Sequence, residues 1–91
     1  MSKIIVPSRP QIFRVSVWEQ LTEKQKRIGA FMATRFGEEL NHRQIKEGAD
    51  VPLLRASELT DLSVKLRSLK AGVRISCREE EQPYKLLWKL D

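Results

Sequence analysis

The sequence predicts a small α+β domain: three helices followed by a two-stranded β-hairpin, with an arm and a strand ahead of them. Three observations carry this. Leu59, Leu62, Leu66 and Leu69 recur at steps of three, four and three, which lines them along one side of a helix. Beyond Gly72 the pattern changes to a period of two, in Val73–Cys77 and again in Tyr84–Leu90, as strands require. Two quartets, Thr22–Gln25 and Asn41–Gln44, have the form of capping boxes, in which the first side chain accepts from the third amide beyond it and the glutamine reaches back.

The elements follow in chain order. Pro7 and Pro10, with Ser2, Ser8, Lys3 and Arg9 around them, mark residues 1–11 as an extended or mobile arm. Ile12–Trp18 alternates, with Phe13, Val15 and Val17 on one side and Arg14 and Ser16 on the other, and predicts a strand that pairs with the chain's own sheet or with a second copy. Residues 1–20 thus form the arm, and residues 21–91 the folded domain. The first helix should run from the Thr22 cap to about Phe36, turning Ile28, Phe31, Met32 and Phe36 inward and stopping at Gly37. A short second helix from the Asn41 cap should bury Ile45 and Ala49. Pro52 and the off-stripe Leu53 place a turn before the third helix, residues 55–71, which stops near Gly72. Arg78–Pro83 is expected as the loop of the hairpin.

Composition narrows the functional classes. With 91 residues and 41% apolar content the chain is one domain with a modest core, too small for a deep enzyme cleft, and no enzymatic activity is expected. A net charge of +5 favours anionic partners, nucleic acid first. The single cysteine, Cys77, excludes an intrachain disulfide, and the run before Pro7 is too short for a signal-peptide core or a membrane span, which makes the cytoplasm the expected compartment. His42 and Cys77 cannot complete a zinc site alone, and the scattered glycines form no phosphate loop, so no metal or cofactor is expected.

The order helix, short helix, turn, longer helix, hairpin resembles the winged helix-turn-helix superfamily, and the stretch LTDLSVKLRSLKAGVRIS is similar to the recognition helix and first wing strand of many bacterial and phage regulators. The resemblance covers about residues 21–90. It implies a sequence-specific binder of double-stranded DNA, a transcription regulator or replication accessory factor, whose third helix enters the major groove. On that mapping Ser57, Thr60, Asp61, Val64, Arg67 and Ser68 face the bases, while Arg55, Lys65 and Lys70 lie near phosphates. The chemistry suits the task, since arginine can bond guanine bidentately, an acid can accept from cytosine and valine can meet a thymine methyl.

One stretch departs from the pattern. Glu79, Glu80 and Glu81 stand where wings that touch DNA carry cations, and phosphate would repel them. Residues 55–76 carry five bases against two acids, whereas residues 77–91 carry three against four. The alternative reading is therefore a winged-helix interaction module acting on polymerase or replication machinery, with Val64, the acidic wing and the Ile12–Trp18 strand meeting a protein. Dimerisation through Ile12–Trp18 would supply the second half-site that a lone helix-turn-helix needs.

Overall fold

A computed structural model of the chain describes residues 7–81 and 84–91, with Tyr84 described by its backbone alone. Among these residues it is a small α+β domain of four helices and one three-stranded antiparallel sheet. The helices are α1 (Val15–Trp18), α2 (Glu23–Thr34), α3 (His42–Gly48) and α4 (Ala56–Ser68); the strands are β1 (Leu40–Asn41), β2 (Ile75–Glu81) and β3 (Tyr84–Leu90). The sheet order is β1-β3-β2. The expected states of residues 1–6 and of Gln82 and Pro83 lie outside the described residues.

The expected strand at Ile12–Trp18 is not formed. The chain turns at Pro10, whose carbonyl accepts from the Phe13 amide at 3.1 Å, and then makes the single helical turn of α1. The reason lies in the spacing Phe13, Val17, Leu21. Val17 points inward from that turn, and Phe13 and Leu21, four positions to either side of it and outside the helix, close on the same core; Phe13, Val17 and Leu21 are 0%, 2% and 5% exposed, while Val15, assigned inward by the alternation, is 52% exposed. Trp18 completes the group, its ring 5.6 Å from that of Phe13. The apolar side of this segment is thus covered by the chain's own core and needs no second copy to bury it.

Both capping boxes form. Thr22 Oγ1 accepts from the Gln25 amide at 3.2 Å and Gln25 Oε1 accepts from the Thr22 amide at 2.9 Å; the corresponding Asn41 and Gln44 bonds are 2.8 and 2.9 Å. The first predicted helix ends two residues early, at Thr34, and Phe36 is 52% exposed rather than inward. Gly37, at φ 79°, turns the chain so that its amide bonds the Leu90 carbonyl at 2.8 Å, and the next residues become the short β1, which the sequence reading did not contain.

α3 and α4 end alike. Asp50 and Lys70 sit in the left-handed region at φ 57° and 52°, and the residue after each bonds back to the carbonyl five positions earlier (Val51 to Lys46, 3.0 Å; Ala71 to Leu66, 3.1 Å). This is the Schellman arrangement, whose left-handed position ordinarily belongs to glycine because a Cβ there costs roughly 1–2 kcal/mol. The third predicted helix therefore ends at Ser68, with its left-handed turn at Lys70, before Gly72, and Gly72 makes a second bend at φ 82° that leads into β2.

The hairpin is longer than expected. Ile75 pairs Leu90, Cys77 pairs Trp88 and Glu79 pairs Leu86, so strand structure runs through Glu81 and the expected loop from Arg78 onward is strand instead. β3 is the central strand, and Leu40 of β1 lies across from Trp88. The core gathers Ile28 and Met32 of α2, Ile45 of α3, Leu59, Leu62 and Leu66 of α4, and Leu40, Ile75, Trp88 and Leu90 of the sheet, with Phe31, Leu69 and Val73 at its margin. Ser63 ties α4 to the sheet, its hydroxyl donating to the Ile75 carbonyl at 2.7 Å.

Candidate nucleic-acid interface

With its leucines inward, α4 turns a face of small polar residues to solvent. Ser57, Thr60, Asp61, Val64, Arg67 and Ser68 are all exposed, Val64 at 55%, while Leu59, Leu62 and Leu66 are 0% exposed. The spacing that buries the leucines forces this face outward. Only Arg67 and Val64 stand clear of it as larger side chains, so another surface can approach the helix closely. Thr60 Oγ1 is occupied, donating to the Ala56 carbonyl at 3.4 Å.

The three residues assigned to phosphates are placed differently from one another. Arg55 is exposed at the N-cap of α4, where its amide donates to Glu58 Oε1 at 2.9 Å. Lys70 is exposed on the left-handed turn beyond the helix. Lys65 is half-buried and turned toward α2, its Nζ donating to Gln25 Oε1 at 3.1 Å, so it braces α4 against the capping box. Among the described residues, no carboxylate lies within ion-pairing distance of Arg55, Arg67 or Lys70.

Sequence reasoning passed over two further cations at this end of the molecule. Arg14 Nη2 donates to the Lys70 carbonyl across a separation of 56 residues. Arg74 shares a groove with Arg67 and Lys70. No local pattern could have joined them to α4, because the path of α1 and the double bend at Lys70 and Gly72 bring them there.

The acidic run is not a bare row of like charges. As β2 alternates, Glu80 falls on the sheet face of Arg78 and Lys85, with Glu79 and Glu81 on the other face. Arg78 holds Glu39 with two bonds, 2.7 and 3.0 Å, and reaches Glu80 at 3.3 Å; Lys85 meets Glu80 at 3.2 Å. The Arg78 hydrogen bond holds the Glu39 carboxyl below its ordinary range, and the Lys85 hydrogen bond does the same for Glu80. At the other end of the domain the Lys24 ammonium, 2.7 Å away, together with the Arg55 amide, depresses Glu58. Cys77 is exposed on β2, but partial burial of its thiol and the nearby Glu79 raise its pKa, which disfavours the thiolate.

His42 lies in the first turn of α3, half-buried, and its Nε2 donates to the Leu54 carbonyl at 2.7 Å, pinning the turn between α3 and α4. Among the described residues, no three His, Cys, Asp or Glu side chains gather as a metal site, and no helix is long and apolar enough to cross a membrane. No family model, curated protein or solved structure matches the chain.

Proposed function

We propose that this chain is a winged helix-turn-helix protein that binds double-stranded DNA, with α2, α3 and α4 as its three helices, β2 and β3 as its wing and α4 as the recognition helix. The observation that carries this is the outer face of α4: close-approach residues, one exposed arginine, and cations at both ends without carboxylate partners among the described residues. The turn fixed by His42 and the braces through Lys65 and Ser63 support it, because they hold α4 rigidly while leaving that face uncovered. In this reading Arg67 contacts a base edge, Val64 meets a thymine methyl, and Arg55 and Lys70 neutralise phosphates. Regulation of transcription or an accessory role in replication are the processes such a binder would serve.

The test is a titration against a random duplex library, with the bound fraction sequenced. A preferred site should emerge, and Arg67→Ala should weaken it by about 1–3 kcal/mol while relaxing the preference at one base position. Absence of duplex binding even at low salt would overturn the reading. It would favour a protein-binding module, for which the 82% exposed Leu53 and the 55% exposed Val64 would be the anchors.

A further inference from the structure

Lys70 keeps its left-handed backbone although its side chain is exposed and packs in no core. The same left-handed turn closes α3 at Asp50, so the helix cap accounts for the conformation, and at Lys70 it leaves the side chain in solvent. The turn is also fixed from outside, because the Arg14 guanidinium bonds the Lys70 carbonyl. Next to this turn a groove of about 480 Å³ opens between the end of α4 and the segment leading into β2, lined by Leu66, Arg67, Lys70, Val73, Arg74 and Asp91 among others.

The charges in the groove are unbalanced. Arg67 and Lys70 have no ion-pair partner among the described residues, and the one carboxylate, Asp91, is shared between Arg74 at 3.7 Å and Lys89 at 3.5 Å. The backbones of Arg74 and Asp91 bond each other twice, at 2.8 and 2.9 Å, which holds the two side chains at one register position. At 3.7 Å the Arg74–Asp91 contact is too long for a hydrogen bond, so the guanidinium fork keeps its capacity for two parallel bonds to an incoming oxyanion.

We infer that this groove binds a phosphate group, a backbone phosphodiester of the duplex held by α4, with Lys70 and Arg74 as its ligands, Arg67 at its rim and Asp91 as a built-in competitor for Arg74. The inference rests on the DNA-binding reading and extends it to a site that includes Arg74 and Asp91. A phosphodiester gains Arg74 by displacing Asp91, which retains Lys89.

The test measures the salt dependence of binding to a short labelled duplex of random sequence, with the melting temperature of each variant measured in parallel. Arg74→Ala and Lys70→Gly should each reduce the salt slope, and the double variant should lose about 0.9, the loss expected for one phosphate contact. Lys70→Gly should reduce it without lowering the melting temperature, because glycine relieves the left-handed strain. Asp91→Asn should tighten binding, most at low salt. Unchanged slopes in the Arg74 and Lys70 variants, with Arg67→Ala still relaxing the preference for the selected site, would overturn the groove and leave α4 standing as the helix that reads bases. If the wild-type chain ignores duplex but binds inorganic pyrophosphate in calorimetry, losing it with Arg74→Ala, the source is a free phosphate compound and the phosphodiester assignment fails. Binding of neither probe would overturn both readings.

Discussion

Phe13 offers the sharpest test of how the N-terminal segment is used. Its ring is fully buried, stacks at a tilt on Trp18 and packs over Gly29 of α2, where a Cβ would lie 3.3 Å from Phe13 Cζ. Phe13→Ala should therefore cost about 3–5 kcal/mol. For 91 residues the whole fold is worth roughly 5–14 kcal/mol, so the variant loses a large share of it. At about 5 °C per kcal/mol for a chain of this size, thermal denaturation followed by circular dichroism should show a fall of ~15–25 °C. Gly29 supplies an internal control. In the wild type a methyl there must push the Phe13 ring by a few tenths of an ångström. In the Phe13→Ala background the same methyl enters the vacated space and adds the roughly 0.5–1 kcal/mol by which alanine outranks glycine in a helix. Gly29→Ala should thus be more favourable in the variant than in the wild type, a coupling that a double-mutant cycle reads directly. A loss below about 1 kcal/mol for Phe13→Ala, or equal effects of Gly29→Ala in both backgrounds, would show that residues 10–18 do not pack as described.

Three further outcomes are expected. Leu66→Ala, at a fully buried position on α4, should cost about 2–5 kcal/mol in chemical denaturation, and a loss near zero would remove the leucine stripe from the core. Glu39, Glu58 and Glu80 have folded-state pKa values below the ordinary 4.5, so their contribution is complete above that value and is lost as pH falls through the lowered ones; acid titration should show stability declining below about 4.5, less steeply in Glu58→Gln, and an unchanged acid profile in that variant would deny the Lys24 pairing. Changing Glu79 and Glu81 together to Gln should alter duplex affinity little at physiological salt, where screening acts over about 8 Å, and a large loss of affinity would place the wing on DNA by an unforeseen geometry.

How much of this was legible depended on whether the signal was local. The leucine stripe of α4 and the two capping boxes are each complete within a few residues, and all three formed where the spacing put them. Phe13 to Trp18 carried two periods at once. Alternation read it as strand, whereas the steps of four to Leu21 were equally present and prevailed because α2 and Gly29 supply a surface for that side. β1 was illegible, since two residues carry no period and Leu40–Asn41 become strand only because β3 passes beside them. Of the interface, the outer face of α4 followed from the stripe. The inward turn of Lys65 depends on Gln25, 40 positions away, and the approach of Arg14 on the fold as a whole.

The same distinction governs the charge. A sum over residues 77–91 makes the hairpin acidic and sets it against nucleic acid, but summing along the chain ignores which face each side chain takes. Once β2 is strand through Glu81, its period of two separates Glu80 from its neighbours and delivers it to Arg78 and Lys85. Arg78 is in turn taken up by Glu39, which stands just before β1, so one charged network laces the outer side of all three strands together. Those bases then spend part of their charge on the acids beside them, whatever their number. Among the described residues, the exposed cations on α4 and its flanking turns that have no carboxylate partner are Arg55, Arg67 and Lys70, at the two ends of the face that the leucines turn outward, while Lys65 is turned to Gln25. What recommends α4 as an interface is therefore the coincidence of exposed cations without carboxylate partners and a face of small side chains that another surface can approach, and a net charge of +5 spread evenly over the surface would not have done so.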